Sequence, residues 1–121
     1  MIPPEKATQI AKEWIDAWNR HDLDSILSHY GENMEFTSPF VEKLMGEASG
    51  TISGKEKLGE YFKKGLEAYP SLNFELLNIL AGVKSLTLYY SSVQGMLAAE
   101  VMFLNSEGKI ERVIVHYTLA K

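Results

Sequence analysis

An α+β fold is predicted for this chain, with three N-terminal helices covering a cone-shaped, curved antiparallel sheet that encloses a pocket. Three observations predict it. The stretch Trp14 to Pro39, WIDAWNRHDLDSILSHYGENMEFTSP, reads as a long helix, a tight turn, a short helix and an alternating strand. A third helical pattern follows, with Leu58, Tyr61, Phe62 and Leu66 at helical spacing before Pro70. From Leu72 onward, Gly82, Gly95 and the Asn105 to Gly108 turn separate four runs rich in Leu, Val, Ile, Tyr and Phe, the pattern of an antiparallel meander.

Helix one starts at Pro3 and Pro4, where a missing N–H costs nothing, and Glu5 favours the positive end of the helix. Ile10, Trp14 and Trp18 recur every four residues, so both indoles fall on one apolar stripe that must face the sheet. Asp22 is an N-cap for the short second helix, whose buried face is Leu23, Ile26, Leu27 and Tyr30, and Gly31 is placed to end it. Met34, Phe36 and Ser38 then alternate with Glu35 and Thr37, which turns the first set inward, and Pro39 stops the ladder. Residues 40–53, with Gly46 and Gly50, read as an irregular excursion carrying a short strand or a helical turn that lines the pocket mouth. Gly54 to Tyr69 forms the third helix, with its lysines and glutamates on the wet side.

Composition narrows the function classes. With 45% hydrophobic and 23% charged residues over 121 positions, the chain suits one domain, residues 1–121, with a single core. It has no cysteine, which excludes thiol catalysis and thiolate zinc sites. The net charge is −4 and the basic residues are scattered, so no nucleic-acid partner is expected. The N-terminus carries charges and no sustained apolar run, so a membrane association is not expected either and a cytoplasmic location is the default. The histidines lack metal-ligand spacing, and no cofactor motif is present.

Glu100 is the leading candidate for chemistry, because every neighbour for four residues on either side is apolar. If Asn105 and Gly108 close the last hairpin opposite each other, Glu100 lies across from Val113. The inward face then carries Ala98, Glu100, Met102, Val113, Val115 and Tyr117. A carboxyl there would lose its hydration, stay protonated near neutral pH, and serve as a hydrogen-bond donor or a general acid or base. The competing reading is a solvated or structurally satisfied glutamate. His116 falls on the convex face with Arg112 and Ile114, a natural contact for a homodimer; a one-residue slip would instead pair it with Glu100. His21 reads as a turn residue and His29 as a solvated or capping one.

The candidate catalytic set is therefore Glu100, Tyr30 and Tyr117. The candidate lining is Trp14, Trp18, Phe36, Ser38, Phe62, Met102, Val113 and Val115, suited to a small apolar or aromatic molecule. Ordinary core packing is the prior expectation for most of the aromatics. A non-catalytic binding or dimerisation module stands beside an isomerase, cyclase or hydrolase as the second reading.

The segments WNRHDLDSILSHYGENMEFTSP, GKEKLGEYF and EVMFLNSEGKI resemble the nuclear transport factor 2-like superfamily, in particular its SnoaL-like members. The resemblance spans nearly the whole chain and implies a cystatin-like roll. It does not imply one activity, since isomerases, cyclases, hydrolases and non-catalytic association domains share that cone. Against the ketosteroid isomerase branch, Ser38 stands where the proton-abstracting aspartate precedes a proline, so that base is missing. Trp14 stands at the oxyanion-hole tyrosine, Phe62 at a supporting tyrosine, Tyr30 at a retained tyrosine, and Glu100 at the protonated oxyanion-hole aspartate. The paired aspartates of the epoxide-hydrolase branch have no match, because no aspartate follows Asp24.

Overall fold

The computed structural model describes residues 1–118. Helix α1, Pro4–Asn19, starts on its prolines and buries Ile10, Trp14 and Trp18 on one stripe together with Ala7, Ala11 and Ala17. The alanines let the helix approach the sheet closely while the indoles reach over it. Helix α2, Leu23–Leu27, is capped by Asp22, whose carboxylate accepts from the Ser25 amide at 3.2 Å. It is shorter than expected. Sheet pairing claims the following residues: the Ile110 amide donates to the His29 carbonyl at 2.9 Å, and Tyr30 pairs with Ile110. Tyr30 and Gly31 thus open strand β1, Tyr30–Thr37, instead of closing the helix.

The uncertain segment contains both of the alternatives weighed for it. Helix α3, Pro39–Met45, is capped by Ser38, whose hydroxyl accepts from the Phe40 amide at 3.2 Å, and has Pro39 in its first turn. Gly46 ends it at φ 66°, a left-handed position where a side chain would be strained. Strand β2, Thr51–Ser53, then pairs antiparallel with β1, Phe36 opposite Ile52. Among the described residues four α-helices rather than three therefore accompany the sheet, the last being α4, Lys55–Ala68.

Strands β3 (Glu75–Ala81), β4 (Ser85–Ser91), β5 (Leu97–Leu104) and β6 (Ile110–Tyr117) form the expected antiparallel meander. The six-stranded order is β2-β1-β6-β5-β4-β3, with β2 and β3 at the edges. The expectation of a wholly antiparallel sheet is corrected at one seam: β1 runs parallel to β6, since the chain reverses four times between them, at β1–β2, β3–β4, β4–β5 and β5–β6, and an even number restores its direction. Irregularities at Tyr30/Glu35, Leu76/Asn78 and Phe103/Leu104 bend the sheet around the helices.

The last hairpin closes more widely than supposed. The Asn105 amide donates to the Lys109 carbonyl at 2.8 Å, one residue beyond Gly108, and the irregularity at Phe103/Leu104 adds one more, so the register shifts by two residues in all. Glu100 consequently faces Val115, and Met102 faces Val113. A shift of two preserves the faces, so Ala98, Glu100, Met102, Val113 and Val115 all point into the core. His116 is exposed on the outer face, and the one-residue slip does not occur. Among the described residues no helix is long and apolar enough to cross a membrane.

Candidate functional site

The core admits two buried polar residues among those described, Ser38 at 2% and Glu100 at 3% exposure. Glu100 lines a cavity of about 60 Å³. Strand alternation places Leu86, Leu88 and Tyr90 on the face they share with Met102, Glu100 and Ala98. Tyr90 pairs with Ala98, whose small side chain leaves room for the phenol to lean diagonally toward Glu100. Its hydroxyl donates to Glu100 Oε1 at 2.6 Å. The sequence reading missed Tyr90: of the adjacent Tyr89 and Tyr90, only the register decides which points inward.

Burial pushes the Glu100 carboxyl up to about 7, against the opposing pull of the Tyr90 hydrogen bond, which favours the ionised form. Both protonation states are accessible near neutral pH. The same burial, reinforced by the Glu100 charge, raises the phenols of Tyr90 and Tyr117, which stay protonated donors. Tyr61 is raised for the same first reason, and the Ser38 hydroxyl, which approaches both Tyr61 and Tyr117, partly offsets it.

Of the residues singled out from sequence, Trp14, Trp18, Phe36, Phe62, Glu100 and Tyr117 line the cavity together. Tyr30, Ser38, Met102, Val113 and Val115 do not; they are buried in the surrounding core. The Tyr30 hydroxyl is occupied as acceptor of the Trp14 indole N–H at 2.9 Å, a bond that holds α1 against β1. Sequence reasoning also missed Phe40 and Leu44 from α3, Tyr61 and Tyr69 from α4 and its end, and Phe74. The helical spacing of Tyr61 was a usable signal, whereas Phe40 and Leu44 were hidden because α3 was not resolved as a helix.

One wall is pinned by polar side chains at the end of α1. Asn19 donates through Nδ2 to the Phe74 carbonyl at 2.9 Å and accepts the Phe74 amide at 2.6 Å, mimicking a strand partner. His21, held at φ 55°, places Nε2 2.8 Å from the Leu72 carbonyl. Leu72 and Phe74 both line the cavity, so these contacts set its width. Tyr69, Leu72, Ser92 and Val93 are shared with an outer groove of about 310 Å³, which makes this the side from which solvent reaches the cavity. A larger depression of about 420 Å³ at the Asn105 to Lys109 end is lined by Glu32, Lys55, Glu107, Lys109 and Glu111 and has the character of a solvated charged surface. Among the described residues no group of three or more histidine or carboxylate side chains is arranged to hold a metal.

A helix-covered, unclosed curved sheet with an aromatic cavity and one buried carboxyl defines an NTF2-like α+β domain. The chain belongs to the SnoaL-like domain family, whose model matches residues 11–113. A SnoaL-like protein of unknown function from Burkholderia thailandensis is 42% identical over 98% of each chain, with a TM-score of 0.94. An NTF2-like protein of unknown function from Cytophaga hutchinsonii is 16% identical over 98% of this chain and 95% of its own, with a TM-score of 0.73. SalBIII, described as an epoxide hydrolase/cyclase-like enzyme with a role in pyran ring formation in the polyether salinomycin, is 22% identical over 98% and 95%, with a TM-score of 0.75. These last two likenesses concern the fold. No curated protein matches the sequence.

Proposed function

We propose that this protein binds a compact, apolar, ring-containing molecule in the aromatic cavity and moves a proton on it with Glu100, in reactions of the isomerase, cyclase or hydrolase kind. The observation that carries this reading is a carboxyl 3% exposed, lining the cavity, with one oxygen held by Tyr90 at 2.6 Å. A buried carboxyl whose two protonation states are both populated near neutral pH is matched to accepting and returning a proton. Tyr90 orients the carboxyl, and Tyr117, which lines the same cavity, orients the bound molecule. A cavity of about 60 Å³ suits one small ring better than a fused polycycle.

The ionised carboxylate removes a proton from the carbon next to a carbonyl, and the resulting carboxylic acid returns it to the same or a conjugated carbon. In D2O this appears as deuterium incorporation into cyclic ketones. Wild type is expected to exceed Glu100→Gln by about 100-fold, the usual scale for a positioned base. Unchanged exchange in the variant, or no turnover by wild type across cyclic ketones, lactones and epoxides, would leave a binding module only.

We also propose that two copies pair through the outer sheet face, where half-buried Ala99, Val101, Phe103 and Ile114 form an apolar strip flanked by Arg112 and His116.

A further inference from the structure

The two tryptophans of α1 are one helical turn apart and differ in how their N–H groups are satisfied. The Trp14 indole reaches the Tyr30 hydroxyl at 2.9 Å. Trp18 Nε1 is, among the described residues, the one buried side-chain nitrogen or oxygen with no partner. Its side chain is 7% exposed and lines the cavity that Glu100, Tyr90 and Tyr117 also line. Its aromatic neighbours are the rings of Trp14, Phe62 and Phe74, none of which supplies a lone pair. A buried N–H without an acceptor is costly and rare, and it is tolerated where a bound group completes it.

We propose that Trp18 Nε1–H is the group that reads the ligand, donating a hydrogen bond to an uncharged acceptor oxygen such as a ring carbonyl. The oxygen is uncharged because the cavity lining holds no lysine, arginine or histidine to neutralise an anion, and it holds the Glu100 carboxyl. An acceptor is specified rather than a donor because an indole N–H has no lone pair to offer. Trp18 and Glu100 line the cavity from different elements, α1 and β5, so a small ring in it is held at its oxygen by one and met at its carbon skeleton by the other. This inference rests on the cavity being a ligand site, as proposed above, but not on Glu100 being a catalyst.

The test compares cyclopentanone with methylenecyclopentane, which has the same shape and replaces the carbonyl oxygen by CH2. With only two tryptophans in the chain, their indole N–H signals in a 15N-labelled sample are assigned by comparison with Trp18→Phe. Cyclopentanone is expected to bind about tenfold more tightly than methylenecyclopentane, the scale of one hydrogen bond, and to move the Trp18 proton signal downfield while leaving Trp14 in place. In Trp18→Phe the ratio of the two affinities should fall by about tenfold or more, since the ketone oxygen then loses its hydration with no donor to replace it, with the retained Trp14 signal reporting that the core is intact. Equal binding by wild type, or a preference that survives in Trp18→Phe, overturns the role of Trp18 while leaving the ligand site standing. Binding of neither compound overturns both. Should Trp18→Phe not fold, Trp14→Phe supplies the same assignment and the wild-type indole shift decides the question.

Discussion

The Tyr90 hydroxyl and Glu100 Oε1 lie 2.6 Å apart in a place that neither strand builds alone. Tyr90 stands opposite Ala98 and Glu100 opposite Leu88, so the bond crosses the β4–β5 ladder diagonally and depends on the small residue beneath the phenol. It holds the carboxyl at the cavity wall with one oxygen committed to the phenol.

Glu100 makes folding pH-dependent in a defined direction. Its carboxyl is raised from 4.5 to about 7 in the folded protein, so the native state favours the protonated form. Its contribution is fully present below about pH 4.5 and is lost as pH rises toward 7, by roughly 3 kcal/mol. Glu100→Gln should flatten that part of the curve, and denaturant unfolding at a series of pH values measures it. A variant with the wild-type slope between pH 4.5 and 7 would contradict the assignment.

Tyr90→Phe removes the hydrogen bond that favours the ionised carboxyl, so the Glu100 pKa should climb further above about 7. The alkaline shift is expected in the 13C signal of the Glu100 carboxyl and in the pH profile of any activity, with a stability loss of about 1–2 kcal/mol below the transition. A downward shift would mean that Tyr90 does not donate to it.

Asn19→Ala breaks both hydrogen bonds to the Phe74 backbone and leaves a partly buried amide and carbonyl unpaired. A loss of about 2–3 kcal/mol is expected, with faster hydrogen exchange at the Phe74 amide. Ligand affinity should fall as well, because Phe74 forms the cavity wall. Asn19→Asp, which keeps only the acceptor, should be intermediate in amide protection.

Phe103→Glu places a charge in the outer apolar strip, beside Arg112, whose guanidinium lies 5.5 Å from the Phe103 ring centre. Sedimentation velocity should show dimer for wild type and monomer for the variant, with circular dichroism unchanged. A wild-type monomer at all concentrations would remove the dimer proposal.

The parts of the fold legible in the residues were those with a strong local period or a strong terminator. Ile10, Trp14 and Trp18 recur at helical spacing, Asp22 caps α2, and the glycines and the Asn105 turn punctuate the meander. Helix α3 was blurred because it is seven residues long, too short to display a period, although Ser38 and Pro39 at one end and Gly46 at the other mark its limits. Tyr30 was assigned to a helix end because its partner, Ile110, is eighty residues away in the chain.

For the site, the sequence by itself determined that Glu100 stands alone among apolar residues, four on each side, and would be desolvated if its strand face turned inward; the fold turned it inward. Tertiary structure alone decided which groups meet that carboxyl. Helix and strand periods specify which way a side chain points from its own element, whereas the pairing of Tyr90 with Glu100, the occupation of Tyr30 by Trp14 and the unpartnered Trp18 N–H depend on register and packing between elements distant in sequence. Those are set by how six strands and four helices close over one another, and no local pattern encodes them.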